Sequence, residues 1–325
     1  MTAIITEKFR AHNADQFFES FTEASGNTYY LMIGKATAFT SGTSGGTDDS
    51  PPTPADDISS EFYTWDSSIA AKKITSSNIT YAIPRRDWAN GTIYDMYEDN
   101  ISSSNATTSG ATNIFDSTFF FRTSDNRIYK VLDNNSGTAY SGAEPTSEST
   151  STFVLGGYTL KYMYAITASE QASYLTTDFM PVSTDSTVSS AAVDGSINSI
   201  IVTNTGSGLT NGTYYAAVYG DGTSAGTSSG AIVKISVASN VISAVSTGNT
   251  GIQQAGAGYT FGTVNLGSGF TFSDTSLTSA SAIGGSGSAI SVVISPKGGH
   301  GSNAVTELGG HYVLLQSTLE GADND

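Results

Sequence analysis

Apolar and polar side chains alternate in short runs along most of this chain, and one early stretch has a helical period instead. Asn13 is a good N-cap, and Gln16 stands where a capping box needs its N3 residue. Gly26 follows as a stop signal. The apolar stripe at i, i+3, i+4 and i+7 consists of Ala14, Phe17, Phe18 and Phe21. The pattern predicts a short amphipathic helix that begins at Asn13 and packs on a sheet.

Short runs dense in aromatic and β-branched residues predict strands. The predicted strands cover residues 29–35, 78–83, 118–122, 127–132 and 158–166. A weaker helical period predicts two brief helices at 67–74 and 169–175. Polar linkers at 40–57 and 134–152 separate these elements, and the glycines and prolines of the first predict a surface loop.

The last third of the chain repeats itself. Three blocks recur in the same order, each with strand or turn character, which indicates a duplicated unit of strand, Gly-x-Gly turn, tyrosine-bearing strand and final alternating strand. The matched blocks are 197–201 with 241–245, 206–213 with 256–263, and 229–237 with 286–294. We therefore expect a small all-β domain inserted at 187–295 into a core of residues 1–186, with 296–325 returning to that core.

Charge and composition argue against several classes of function. Cysteine is absent, which excludes thiolate chemistry and disulfides, and 13 basic against 29 acidic side chains give a formal charge of −16. That charge argues against DNA or RNA as a partner. No run of apolar residues predicts a signal peptide or a membrane span.

Motifs with a chemical meaning are few. Gly42-Thr-Ser-Gly-Gly46 matches the Gly-x-Ser-x-Gly sequence of a nucleophile elbow. It lies in a linker, however, without the strand and helix that the elbow needs. The adjacent carboxylate pairs are interpreted as solvated surface, and Asp133-Asn-Asn-Ser-Gly137 as a turn. The pairs are Asp48/Asp49, Asp56/Asp57 and Glu98/Asp99. We predict no enzymatic activity, cofactor, metal site or small-molecule substrate.

The three histidines have no helical zinc spacing. His300 lies in a glycine-rich segment, and we interpret this segment as a tight structural turn that holds the imidazole by hydrogen bonds. The turn consists of Gly298, Gly299, His300 and Gly301.

The densest cluster of distinctive side chains is Ile83-Pro84-Arg85-Arg86-Asp87-Trp88. Proline fixes the exit from the preceding strand, arginine pairs with carboxylates through a planar fork, and tryptophan offers a large amphipathic surface. Two interpretations stay open. The cluster either forms an ordered interface with another protein, or Asp87 pairs with one of the arginines inside the fold.

This hexapeptide closely resembles the signature of the baseplate wedge subunit gene product 8 of T4-like contractile-tailed phages. The segments 5–10, 29–34, 128–133 and 157–166 are similar to the same family in order, and 296–309 looks like its marine, cyanophage-type version. The resemblance covers about 1–182 and 296–316, and it excludes the duplicated region. The family's C-terminal part looks shortened here.

The resemblance implies a mainly β fold with a layered β-sandwich core and short flanking helices. It also implies a virion protein of the tail baseplate, made in the host bacterial cytoplasm, which forms a homodimer and contacts other wedge proteins. An alternative from the duplicated region is a receptor- or glycan-binding fibre or spike module, with stacking on Tyr214, Tyr215, Tyr219 or Tyr259. A third possible function is that of a cell-wall hydrolase, but the sequence offers no set of acid, base and nucleophile for it.

Overall fold

The structure is a computed structural model that describes residues 7–23, 27–34, 68–243, 251–267 and 269–318, with isolated positions between 47 and 65. The Gly-x-Ser-x-Gly match at 42–46, Gly26, the segment 5–6 and the pair Asp56/Asp57 lie outside the described residues, as do most of the predicted loop at 40–57 and the end of the chain.

The described elements are mostly strands, in antiparallel sheets, so the prediction of a mainly β fold is confirmed. The strands are β1 (Tyr29–Gly34), β2 (Ser68–Ile74), β3 (Ile79–Pro84), β4 (Phe120–Arg122), β5 (Arg127–Asp133), β6 (Phe153–Leu155), β7 (Tyr158–Ala165), β8 (Phe179–Pro181), β9 (Ile197–Ser207), β10 (Gly212–Gly220), β11 (Ile232–Ala238), β12 (Val241–Ile242), β13 (Ile252–Gln254), β14 (Gly262–Val264), β15 (Ser286–Ile294) and β16 (Tyr312–Leu315). The helices are α1 (Glu7–Glu19), α2 (Ala168–Tyr174), α3 (Ser186–Ser190) and α4 (Ala304–Leu308).

The chain divides into two compact units, residues 1–81 with 311–325 and residues 82–310. In the first unit, α1 begins at Glu7, so the predicted start at Asn13 is wrong. The residues before Asn13 include Glu, Lys, Arg and Ala, which favour a helix and extend it past an asparagine that would otherwise cap it. The aromatic stripe still packs as expected, since Phe21 stacks on Tyr29 at 4.5 Å and Phe18 on Tyr81 at 4.3 Å.

The segment 68–74, predicted as a helix, is strand β2 and pairs antiparallel with β1. Its Ala-Ala-Lys-Lys sequence favours a helix locally, but the ladder with β1 satisfies its backbone instead. The predicted helix at 169–175 is present as α2, where Thr167 and Glu170 form a capping box.

The second unit contains a four-stranded antiparallel sheet in the order β4-β5-β7-β6. Its core is a cluster of buried aromatic and aliphatic side chains. Among them are Tyr94, Phe121, Tyr129, Tyr140, Tyr158 and Leu160. The Tyr158 hydroxyl donates to the carbonyl of Thr138 at 2.7 Å, so this tyrosine is buried without a lost hydrogen bond.

In the same unit, residues 197–294 form a sheet in the order β12-β11-β10-β14, with β13 also on β11, and a ribbon of β15 with β9. Side chains from both share one core cluster. Val233, Ile235 and Val237 of β11 are buried, and so are Ile290, Val292 and Ile294 at the matching positions of β15.

Strands of the two predicted repeat units pair with each other. The first strand of one copy, β9, pairs with the last strand of the other, β15, and β11 pairs with β12 in the same way. Ile242 lies opposite Val237, and Ile197 lies opposite Ile294 just after an irregularity in the register between Val293 and Ile294. The correspondence of residues 197–201 with 241–245 stays a prediction, since 244 and 245 lie outside the described residues.

The glycines of both Gly-x-Gly segments, predicted as turns, have positive φ, although Gly206 lies within strand β9. Gly206, Gly208, Gly256 and Gly258 all have φ between 62° and 73°. Of the tyrosines considered for glycan stacking, Tyr214 and Tyr259 are buried, with exposures of 5% and 2%. No helix among the described residues is long and apolar enough to cross a membrane.

Candidate functional site

The backbone of the Pro84–Trp88 segment is fixed on both sides as the chain leaves β3. The amide of Arg85 donates to the carbonyl of Asp178 at 2.8 Å. The amide of Arg122 donates to the Arg86 carbonyl at 2.7 Å, and the amide of Trp88 donates to the Arg122 carbonyl at 2.8 Å. The segment is therefore held in place by the end of β4 and by the turn before β8.

Asp87 lies between two arginines. Its carboxylate is 2.7 Å from a terminal nitrogen of Arg85 and 2.8 Å from one of Arg122. Arg85 also donates to the carbonyl of Thr176 at 2.8 Å. Burial raises the pKa of Asp87, but the hydrogen bonds from Arg85 and Arg122 outweigh it and hold the pKa below its ordinary value. The geometry contains the intramolecular pair of the second interpretation and adds Arg122 to it.

Arg86 turns inward. Its guanidinium carbon lies 4.3 Å from the ring centre of Phe120, and Nη2 donates to the Phe115 carbonyl at 2.8 Å. Among the described residues, Nη1 is buried without a hydrogen-bond partner. Burial lowers the pKa of Arg86 to about 10, against the opposing charges of Asp116 and Asp95. The cation therefore persists at neutral pH and binds the loop at 115 to the sheet.

Trp88 is partly buried against the aromatic core. Its ring meets Tyr140 edge-on, with centroids 5.8 Å apart, and its Nε1 is buried without a partner among the described residues. Asp87 is therefore the most exposed charge of the segment, with 45% of its side chain accessible, while Trp88 serves packing inside the unit.

The glycine-rich segment at 298–301 is a turn whose glycines have φ of 86°, 93° and 90°. A Cβ on Gly299 would lie 2.5 Å from the backbone of Val193, and one on Gly301 would clash with Cγ1 of Val188. The amide of Gly298 donates to Oδ1 of Asp194 at 2.7 Å. The turn thus packs directly on α3 and the residues after it.

A buried ion pair lies beneath this turn. Glu307 Oε2 is 2.8 Å from Nζ of Lys130, and the side chains are 3% and 0% exposed. The other oxygen of Glu307 accepts from the amides of Gly301 at 2.7 Å and Asn303 at 3.2 Å. Lys130 Nζ also lies 4.0 Å from the ring centre of Tyr97. Strand β5, helix α4 and the turn are therefore joined at one charge centre.

His300 is 5% exposed and meets Tyr97 edge-on at 5.0 Å. Burial lowers the pKa of His300 well below its ordinary value, and the charges of Lys130 and Lys161 lower it further. The expectation that hydrogen bonds hold the imidazole is wrong for Nδ1, which has no partner among the described residues. The ring packs edge-on against Tyr97.

Sequence reasoning missed Lys130, Lys161 and Glu307. The signal for the lysines is their position inside otherwise apolar strands, where a charge must be paired or bound. The signal for Glu307 is weak, since a glutamate in a five-residue helix is ordinary.

Two acidic side chains of the segment 95–98 are at least partly buried. Asp95 is 1% exposed and accepts hydrogen bonds from Ser109 and Thr118, which fastens the loop between them. Glu98, predicted on solvated surface, is partly buried, and burial raises its pKa. The segment Asp133–Gly137 forms the predicted turn, with positive φ at Asn135 and Ser136.

The charged side chains described above form ion pairs and packing contacts within the fold, and the comparisons with known proteins agree with a structural role. A family model described as Bacteriophage T4, Gp8, a structural component of the phage tail baseplate, matches residues 3–136. The matched residues include Pro84–Trp88, so this part of the chain is similar to the T4 Gp8 family of baseplate wedge proteins. No curated protein matches the chain. The region 187–295 and the turn at 298–301 lie outside the match.

Proposed function

We propose that this protein links neighbouring wedge proteins of a contractile-tail baseplate through protein–protein interfaces and forms a homodimer within the wedge. The observation that carries the proposal is the match of residues 3–136 to Gp8. The side-chain geometry supports it, because the charged groups at the conspicuous segments are engaged in ion pairs and packing. Such side chains suit a rigid scaffold.

The strongest support for an interface in the matched region comes from the ribbon of β1 and β2. A two-stranded antiparallel ribbon is only marginally stable alone. This one exposes Tyr30 by 63%, Ile33 by 42% and Ile69 by 60%. Apolar and aromatic side chains of this kind are typical anchors of protein interfaces. We assign the ribbon to contacts with another wedge subunit.

We propose that Pro84, Arg85, Arg86, Asp87 and Trp88 support a second contact in which the segment is fixed before its partner arrives. Asp87 is the exposed charge that the two arginines orient. A preformed charge loses little side-chain entropy on binding. The turn of Gly298, Gly299, His300 and Gly301 has a structural role in the same scheme.

The proposed organisation is a wedge core of residues 1–186 and 296–325 that carries an inserted domain of residues 187–295. Support comes from Ser196, near the start of the proposed insert, and Ser295, at its end. The amide of Ser196 donates to Oγ of Ser295 at 3.0 Å, and the amide of Ser295 donates to the Ser196 carbonyl at 2.8 Å. Entry and exit therefore lie side by side, as an insertion requires.

The test is the solution mass by size exclusion with light scattering, followed by co-assembly with the other wedge proteins of the same phage. A dimer that joins a wedge complex supports the proposal. A stable trimer that ignores the wedge proteins would favour a fibre or spike module and contradict it.

Matched variants sharpen the assembly test. Tyr30→Ser and Ile69→Ser should leave the fold intact and weaken co-assembly. Val154→Ser removes a similarly exposed apolar side chain, 43% accessible, from a strand outside the matched region. This control should assemble as the natural protein does. Equal assembly by all three variants would remove the ribbon from the interface.

A further inference from the structure

The charges buried beneath the 298–301 turn do not balance. Lys130 is 0% exposed and Lys161 is 4% exposed, while Glu307 is the carboxylate whose charge acts on the pKa of both. Glu307 forms its ion pair with Lys130 at 2.8 Å. No described carboxylate lies within ion-pair distance of Lys161, whose Nζ donates to the Thr150 carbonyl. One buried ammonium is thus left without a counter-charge.

Lys161 lines a cavity of about 260 Å³. A water's share of liquid volume is about 30 Å³, so the cavity has room for a polyatomic ion. Its wall includes residues 150–152 and Ser196, which bear hydroxyl groups, and Asn198, which bears an amide. No carboxylate side chain lines it. The cavity is therefore polar and favours negative charge.

His300 lines the same cavity and supplies a second independent observation. Its Nδ1 is buried with no hydrogen-bond partner among the described residues, and the residue is 5% exposed. A buried polar nitrogen without a partner carries a desolvation cost that a ligand can offset. The imidazole can donate one hydrogen bond when neutral and two when charged.

We propose that this cavity binds a small oxyanion, such as a carboxylate or a sulfate-like ion, through the Lys161 ammonium and the His300 imidazole. The anion neutralises the unpaired lysine and accepts from the histidine ring. Its source is either a free inorganic ion or an acidic group supplied by another protein. The proposal stands apart from the wedge assignment, since it needs only the charges and the cavity of residues 82–310.

Binding has an electrostatic signature at His300. Burial and the positive charges of Lys130 and Lys161 keep the pKa of this imidazole well below its ordinary value. The groups that act on the imidazole are these two lysines and the Tyr97 ring, and Glu307 acts in turn on the two lysines. A bound anion adds the missing negative charge and raises the pKa of His300.

The experiment measures the unfolding midpoint of the full chain during titration with sodium sulfate, and separately with sodium acetate, at ionic strength held constant with chloride. A site-specific ligand raises the midpoint with the logarithm of its concentration. Lys161→Met should lose this response and keep only the general effect of sulfate on protein surfaces. Lys73→Met removes the same charge from an exposed position on β2 and should respond as the natural protein does.

A second measurement covers the case in which Lys161→Met fails to fold. Imidazole NMR signals of the natural protein, followed during the same titrations, should show an upward shift of the His300 pKa, with His12 and His311 as internal references. A response to sulfate alone assigns the cavity to a free inorganic ion, whereas a response to acetate assigns it to a carboxylate. If neither salt moves the His300 signal and the natural and Lys161→Met proteins respond alike, the proposal is wrong.

Discussion

Lys130 and Glu307 are 177 positions apart in the chain, yet their charged groups lie 2.8 Å apart in the interior of one unit. The pair joins β5, which lies inside the Gp8 match, to α4, which lies outside it. Because Glu307 also accepts two amide hydrogens of the 298–301 region, the same carboxylate orders the returning chain on the core. The matched and unmatched parts of residues 82–310 therefore share one buried polar centre.

Breaking this pair should be costly. Lys130→Met leaves the Glu307 carboxylate buried without its cation, and removing one partner of a buried pair typically costs about 3–5 kcal/mol. Adding Glu307→Gln should recover part of the loss, because the glutamine oxygen can still accept from the amides of Gly301 and Asn303. The free energies of unfolding in urea measure both effects.

Arg127 provides the control for the pair. It forms ion pairs with Asp125 and Glu148 at 2.8 and 2.7 Å, but at the surface. Arg127→Met should cost less than about 1 kcal/mol, as exposed pairs usually do. Equal losses for Lys130→Met and Arg127→Met would show that the buried pair carries no special weight.

The glycines of the 298–301 turn should tolerate no side chain. Gly299→Ala places a Cβ 2.5 Å from the Val193 backbone at a φ of 93°, so both strain and overlap oppose folding. Gly91→Ala is the matched control, with a φ of 81° and open space around the new methyl group. The control should cost about 1–2 kcal/mol from backbone strain, and Gly299→Ala should cost clearly more. Thermal and urea unfolding compare them, and a cost for Gly299→Ala no larger than the control would show that the close packing is dispensable.

The stability of the folded protein should depend on pH through the carboxyl group of Asp133. Burial raises its pKa, and the amide of Asn135 lowers it in part. The folded protein therefore holds this proton more tightly than the unfolded chain, so stability falls as pH rises from the ordinary value through the raised pKa. Asp133→Asn removes this loss and keeps the acceptor for Asn135, so the variant should be more stable than the natural protein at neutral pH.

The gain should vanish in acid, below the ordinary pKa of an aspartate. Asp178→Asn removes an exposed carboxylate and should change stability by less than about 0.5 kcal/mol across the range. Urea unfolding at a series of pH values compares the two variants. A gain from Asp133→Asn that persists at low pH would assign it to packing and not to the charge.

The strands could be predicted from sequence because their signal is local. Residues 127–132 are dense in aromatic and β-branched side chains, and β5 covers them with one residue more. Where the local preference for a helix conflicts with strand pairing in the tertiary structure, the pairing determines the secondary structure, as in β2. The predicted start of α1 is wrong for a related reason. An asparagine does not begin a helix when the residues before it also favour the helix.

The polar centre could not be predicted, because nothing in the sequence brings residue 130 near residue 307. Burial of a lysine is visible from its apolar neighbours, but the identity of its partner is a property of the fold. The Pro84–Trp88 segment shows the reverse. Its residues stood out in the sequence, whereas the role of Arg122 in orienting Asp87 depends on a backbone pairing 35 positions away.

Removal of the proposed insert tests the domain organisation most directly. Replacing residues 197–294 with a Gly-Ser-Gly linker should leave a core that unfolds cooperatively, because Ser196 and Ser295 are already within hydrogen-bond distance of each other. The closing loop is then short and adds little entropy to the unfolded chain. The same linker inserted after Gly110, an exposed turn, controls for the linker itself. Urea unfolding and amide NMR spectra measure the result, and loss of cooperative unfolding in the deletion but not in the control would show that 187–295 is an integral part of the core.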